Sequence, residues 1–294
     1  MGRRIDLLSR AFDWINDLLL GVMVVVTAYP ILYVLLASIS DPAELMAHHG
    51  ILLKPYGFTF GAYALVFRNP MIPTGFMNTV LYVVTSTAIS LVMTMMLAYV
   101  LSRKNFYWKN ALMFFATFTM FFSGGMIPSF LMIQKLGIFN TRWAVILPGA
   151  ISTYNLIVMR TSLMSLPDSL EESAKIDGAS HWVILLRIVI PLSLPVLSVM
   201  LLFYGVDNWN SWFMPSIYLR KRELFPLSLI VREILMDSQT SNMMVEMDSA
   251  ERGQNYSQII KYTVIVISTF PILCVYPFLQ KYFVKGVMIG AIKG

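Results

Sequence analysis

Long apolar runs constrain this chain more than any other feature. Residues 80–101 read VLYVVTSTAISLVMTMMLAYVL and residues 262–279 read YTVIVISTFPILCVYPFL. About 20 such residues carry a helix across a bilayer core, and a helix satisfies its own backbone there. Six runs of this kind are present, at about 18–39, 76–101, 111–133, 144–163, 188–212 and 259–279. The expected fold is an all-α integral membrane protein of six transmembrane helices, with residues 1–294 forming one transmembrane domain. Composition agrees: 57% of residues are hydrophobic and 13% are charged, against about 25% charged in a soluble domain. The mean hydropathy is +0.68. No internal repeat, low-complexity stretch or separate soluble domain is visible.

The runs are not uniform. The fourth carries Pro148, Gly149, Ser152, Thr153, Tyr154 and Asn155, a set of little use to lipid but suited to a polar cavity. In the third, Pro128 removes a helical hydrogen bond and clashes with the preceding turn, so a kink is expected there. Met93, Met95 and Met96 read as packing. Cys274 lies inside an apolar run and reads as a small hydrophobe. His48, His49 and His181 lack metal-ligand spacing, so no metal site is expected.

A net charge of +6 would point to nucleic acid in a soluble protein. Here the cations fill the gaps between runs and set orientation instead. Arg3, Arg4 and Arg10, then Arg103, Lys104 and Lys109, then Arg160, Lys175 and Arg187, then Lys281, Lys285 and Lys293 fall on one side. Lys54, Arg68, Lys135 and Arg142 occupy the two short gaps opposite. Both termini and the 164–187 loop should therefore face the cytoplasm, with 213–258 as an external cap. The basic start, MGRRIDLLSR, precedes a run too long for a signal-peptide core. It is read as a retained first helix.

The 164–187 loop carries the strongest local signal. Asp168 can cap a helix start, with Glu171 in capping-box register, and acids suit that end. Leu170, Ala174 and Asp177 share one face. Gly178 permits a left-handed stop, and Ser180 can cap a second short helix leading into Ile188, Ile190 and Pro191. Glu172-Ser173-Ala174, then Gly178, then Ile188, Ile190 and Pro191, resembles the EAA loop of membrane permeases in bacterial binding-protein-dependent ABC importers. Ser173 and Ile190 depart mildly from the usual Ala and Leu. The Gly124–Pro128 and Asn208–Phe213 stretches and the Lys281–Gly286 tail are similar to the sugar-importer branch, on the plan of the maltose importer's second permease. Arg232–Leu235 is similar to the subgroup for polysaccharide-derived oligosaccharides such as alginate.

That resemblance implies a type I importer permease in the bacterial inner membrane. Its 168–182 loop would dock on an ATPase subunit through Glu171, Glu172, Ala174, Asp177, Gly178 and Ala179. The implied partners are a second permease, homologous and different, two ATPase subunits, an external solute-binding protein and membrane lipid, with no nucleic acid. The chain has no G-x-x-x-x-G-K-[ST] loop to cradle phosphates, and no nucleophile–base pair or carboxylate dyad. It is expected to bind no cofactor and to catalyse nothing itself, with ATP and Mg held by the partner ATPases.

A sugar wants amide, hydroxyl or carboxylate partners beside aromatic platforms. Tyr154 and Asn155 fall about 15 Å into the fourth run, near the midplane. Asn78 and Tyr82 lie on the outer turns of the second run. Tyr204, Asp207, Asn208 and Trp209 rise to the outer mouth of the fifth. Each has a plainer use: Asn78 as a helix-packing hydrogen bond, Asp207 as a surface cap, Trp212 as a belt anchor. Arg220-Lys221-Arg222 could be a solvated face, a contact for the binding protein, or an attraction for uronic-acid sugars. An importer of a non-sugar solute is the alternative nearest to this reading. A secondary transporter would need intramembrane ionisable residues, and only Asp207, near a mouth, comes close. A membrane enzyme lacks its constellation.

Overall fold

The computed structural model describes residues 2–48, 50–244, 259–275 and 277, and all regular structure among them is helical. The chain divides into two units, Met1–Asn69 with Glu233–Thr269 and Pro70–Arg232 with Phe270–Gly294.

In the first unit, α1 (Gly2–Ser38) is followed by α2 (Pro42–Ala47) and α3 (Gly61–Arg68). Asp41 starts α2 by accepting from the N–H groups of Ala43 and Glu44 at 2.9 and 3.3 Å, with Pro42 pre-set at the first helical position. Tyr33 meets Tyr262 edge-on at 5.8 Å.

The second unit begins with α4 (Met71–Ser102), α5 (Lys109–Phe121), α6 (Met126–Lys135), α7 (Trp143–Ile146), α8 (Thr153–Met164) and α9 (Asp168–Ile176). Then come α10 (His181–Ile184), a π turn (Leu185–Val189), α11 (Ile190–Leu192), α12 (Leu194–Asn210), α13 (Phe213–Tyr218) and a 3-10 turn (Arg222–Leu224). Helix α14 (Leu227–Met244) starts in this unit, and α15 (Ile259–Val275) is a shorter apolar helix. The 245–258 part of the expected external cap, the sixth run beyond Val275 apart from residue 277, and the Lys281–Gly286 tail lie outside the described residues.

Among the described residues, two helices are long and apolar enough to cross a membrane alone, Phe12–Ser38 and Met71–Ser102. Three of the other expected runs are broken. The third bends by 114° between α5 and α6, at 122–125 rather than at Pro128. Gly125 takes φ +85°, a conformation favourable to glycine. Pro128 falls in the first turn of α6, where an N–H would have no intrahelical partner anyway. The fifth bends by 81° at Ser193, between Pro191 and Pro195. The fourth is interrupted at 147–152 around Pro148 and Gly149. That leaves α8 with 12 residues, about 18 Å long.

Helix α4 organises the second unit. Met95, Ala98, Tyr99 and Leu101 pack with Leu156, Met159 and Leu163 of α8, Ile184, Leu185 and Val189 of the α10–π segment, and Met200 and Tyr204 of α12. Its buried row also contains Asn78, Thr79, Tyr82, Ser86, Ser90 and Thr94. Small and polar residues facing inward are what membrane helices use to approach one another. By contrast α5 buries no residue, and Phe114, Phe115, Phe118 and Phe121 are exposed.

Candidate functional site: a charged loop helix and two polar knots

Helix α9 forms over the expected segment, but its start differs from the capping-box reading. Pro167 holds the cap position and provides no side-chain cap. Asp168 is the first helical residue, and its carboxylate accepts from Lys104 instead. Glu171 accepts from Arg103 and from Lys175 at 2.9 Å. The reason is competition: charge-assisted bonds are roughly twice as strong as neutral ones, and two cations follow directly on α4. Arg103 is itself held over the Tyr99 ring at 4.7 Å, with Nε donating to the Tyr99 carbonyl at 3.3 Å and Nη2 to Ser102 Oγ at 3.0 Å.

The end of α9 follows from Gly178. Its φ is +78°. The Ala179 N–H donates to the Ala174 carbonyl at 2.9 Å and the Gly178 N–H to the Lys175 carbonyl at 3.0 Å, the paired bonds of a Schellman turn. Ser180 then caps α10 by accepting from the Val183 N–H at 3.4 Å. Leu166, Ala174 and Ala179 pack on the core. Glu172, Asp177 and Ile176 face outward, Ile176 being 86% exposed. The helix therefore has an anchored face and a free face.

The charges respond accordingly. Hydrogen bonding to Asp168 raises the Lys104 ammonium, and the same bond lowers Asp168. Burial pushes the Glu171 carboxyl up, but hydrogen bonds from Lys175 and Arg103, with their charges, hold it below its ordinary value.

The expected pathway residues fall into two knots and a fringe. In the first knot, Asn78 Nδ2 donates to the Glu223 and Phe225 carbonyls at 2.6 and 3.2 Å, and Tyr82 OH donates to the Leu224 carbonyl at 2.8 Å. The Leu227 N–H donates to Thr79 Oγ1 at 2.8 Å. In the second, the Tyr204 hydroxyl meets Thr94 Oγ1 at 2.7 Å and accepts from the Ser152 N–H at 3.1 Å. Asn155 is buried beside this break, its N–H donating to Ser152 Oγ at 3.4 Å. Tyr154 is half-exposed, 6.3 Å from the Phe203 ring. Asp207 is exposed, Asn208 Nδ2 donates to the Tyr204 carbonyl at 2.8 Å, and Trp209 meets Phe76 at 6.0 Å.

Sequence reasoning used Arg103 and Lys104 only for orientation, placed Thr79 beside Asn78 and Tyr82 on the outer turns of the second run without its partner, and did not single out Asn140 or the pairing of Arg142 with Asn78. The signal for the first pair was present: two cations at the end of a span, and acids opening the next loop helix. The others join residues far apart in sequence, for which no local signal exists.

Residues 90–289 match the family described as binding-protein-dependent transport system inner membrane component, and the chain belongs to that family. It is a membrane component of such a system rather than an enzyme. Protein LplC of Bacillus subtilis (strain 168) is 41% identical over 288 residues, covering 97% of this chain and 96% of the relative. The polygalacturonan/rhamnogalacturonan transport system permease protein YtcP of the same organism is 38% identical over 287 residues, covering 97% and 99%. Among solved structures, a chain of a bacterial ABC transporter involved in the import of the acidic polysaccharide alginate is similar with a TM-score of 0.84. It is 31% identical, with 93% of this chain and 97% of that one covered.

Proposed function

We propose that the chain is one of two permease subunits of an ATP-driven bacterial importer for an oligosaccharide. The observation that carries this reading is α9: nine residues, pinned on one face by Arg103 and a Schellman turn, with Glu172 and Ile176 outside, in a chain of this family. The 168–182 segment docks on an ATPase subunit. ATP and Mg bind in a pair of such subunits, which serve this chain and a homologous, different permease. An external binding protein delivers the cargo. Each bent pair counts as one broken span, and α8 with the segment before it and α15 complete six passes. The distribution of basic residues supports a cytoplasmic side of the inner membrane for both termini and α9.

The relatives' names support a sugar cargo, since a transporter of polygalacturonan and rhamnogalacturonan and one of alginate are both similar along nearly the whole chain. Tyr154 and Asp207 remain accessible to cargo. Asn78, Tyr82 and Tyr204 shape the walls through their hydrogen bonds. Closure of the ATPases moves α9, and packed helices respond as rigid bodies. Helix α4 is well placed to carry the stroke, because it spans about 48 Å without a break.

The test is reconstitution. The chain is co-purified with its genetic neighbours and placed in proteoliposomes with the binding protein. Sugar uptake should require both ATP and the binding protein. Uptake by this chain alone under an ion gradient overturns the reading, as does a well-folded chain that retains no ATPase subunit.

A further inference from the structure

A cavity of about 300 Å³ lies between the end of α4, α8, α9 and the α10–π segment. The lysines and arginines lining it are Arg103, Lys104, Lys109, Arg160 and Lys175, against the carboxylates of Asp168, Glu171 and Glu172. Arg103, Lys104 and Lys175 are paired with Glu171 and Asp168 as described above, and Glu172 faces outward. Lys109 and Arg160 are left over. Both are partly buried, and each is held by a backbone carbonyl. Lys109 Nζ donates to the Lys104 carbonyl and Arg160 Nε to the Leu101 carbonyl, both at 3.0 Å. Among the described residues neither forms an ion pair with a carboxylate.

A second cavity, of about 390 Å³, adjoins the first, and Arg103, Asn105 and His181 line both. The rest of its wall is Met96, Tyr99, Val100, Phe106, Trp182 and Leu185. Trp182 is 59% exposed, so this apolar groove opens at the surface of the chain, beside the end of a span, where Tyr and Trp are at home in a membrane. His181 Nδ1 lies 3.4 Å from the Tyr99 hydroxyl, which places the imidazole at the junction of the two cavities. Partly buried cations without a counter-ion are costly and favour an anion. A free anion would use the polar cavity and leave the groove without an apolar occupant. A molecule with an anionic head and an apolar tail uses both, and in a membrane that molecule is a phospholipid. Basic pockets between helices at a membrane face take such head groups, and the tail gains with each methylene it buries.

We infer that the joined cavities hold an anionic phospholipid, its phosphate and head group among Lys109, Arg160 and His181 and one acyl chain along Val100, Phe106, Trp182 and Leu185. Asp168, Glu171 and Lys175 line the polar cavity, so the bound head group lies against α9. The inference rests on the chain being a membrane component and is independent of the cargo. The cytoplasmic placement of α9 decides only which leaflet supplies the lipid.

The experiment uses the assembled importer, purified in detergent and stripped of lipid, and follows lipid binding by native mass spectrometry. The probes are phosphatidylglycerol, phosphatidylcholine and inorganic phosphate. Wild type should bind one phosphatidylglycerol roughly 30-fold more tightly than the Lys109→Gln/Arg160→Gln variant does, at about fivefold for each cation. Phosphatidylcholine should not separate the two. Lys109→Gln alone, which leaves Arg160 on the Leu101 carbonyl, should lose roughly fivefold, and Lys109→Arg, which keeps the charge, should lose little. Trp182→Ala should weaken both lipids. Equal binding of phosphatidylglycerol by wild type and Lys109→Gln overturns the inference, as does a wild-type preference for phosphatidylcholine. Unchanged phosphatidylglycerol binding in Trp182→Ala, with full competition by inorganic phosphate, overturns it in favour of a free-anion site. Loss of an ATPase subunit from the Lys109→Gln complex with lipid retained also overturns it, because the cations then face a protein. A wild-type chain that retains no ATPase subunit counts against the importer reading instead, and the same titration on that full chain still decides the lipid site.

Discussion

Glu171 and Glu172 are neighbours in sequence, and their environments assign them different work. The Glu171 side chain is 13% exposed and joins Arg103, itself 20% exposed, with Lys175 at the rim of the contact. A hydrogen bond to a charged group contributes roughly 1.5–3 kcal/mol, and an exposed i,i+4 pair adds only about 0.3–0.5 kcal/mol. Glu171→Gln keeps the shape and removes the charge. The attachment of α9 to the end of α4 should weaken by about 2 kcal/mol, roughly 30-fold in its opening equilibrium. Leu166, Ala174 and Ala179 still pack on the core, so the chain should fold and insert. Hydrogen exchange should quicken 10–30-fold in the 168–180 amides and stay unchanged in the middle of α4. Sugar carried per ATP hydrolysed should fall. Exchanging the charges, Arg103→Glu with Glu171→Arg, should restore part of the loss, as a direct pair requires. Wild-type exchange and coupling in Glu171→Gln would refute the anchoring argument. The pH dependence has a definite sign. The Glu171 carboxyl lies below its ordinary value, so its contribution is complete above the usual Glu range, about 4.3, and fades as pH falls through the lowered value. Coupling should therefore not change through this group between about pH 6 and 8.

Three further outcomes are expected. Gly178→Ala places a Cβ in open space, so only the left-handed backbone resists. Slower transport and a loss of about 1 kcal/mol in α9 stability by hydrogen exchange are expected, with Gly178→Asn milder. In Gly75→Ala the new Cβ would stand 2.3 Å from Ile230 Cδ1 and 3.3 Å from the Leu227 backbone. That overpacking should cost about 1–3 kcal/mol in thermal unfolding, part of it recovered by Ile230→Val, which removes Cδ1. Tyr204→Phe strips the hydroxyl that meets Thr94 and accepts from the Ser152 N–H. The Ser152 amide should exchange faster, with a stability loss of about 1–3 kcal/mol.

The features legible in the sequence are those set by neighbouring residues. The apolar runs defined an all-helical membrane protein because a span is a property of consecutive side chains. The turn after α9 was legible because a left-handed stop is decided at Gly178 itself. The break in the third run was harder, since Gly124, Gly125 and Pro128 stand close together and either residue type can end a helix. The backbone uses the glycine and leaves Pro128 in a first turn where it costs little. Asn78 shows the other limit. Its residue type fitted cargo contact or helix packing equally, and its partner, the Glu223 carbonyl, lies 145 residues away. No periodicity reports such a pairing. Arg103 sits between these cases: its charge was legible, but its use depended on α9 folding back against α4. These long-range contacts tie both ends of α4, the Ser102 end to α9 through Arg103 and Lys104, the Met71 end to the Glu223–Leu227 backbone through Asn78, Thr79 and Tyr82. A displacement of α9 that moved α4 as a rigid helix would therefore reach the loop that carries Arg220, Lys221 and Arg222 without a flexible joint between them.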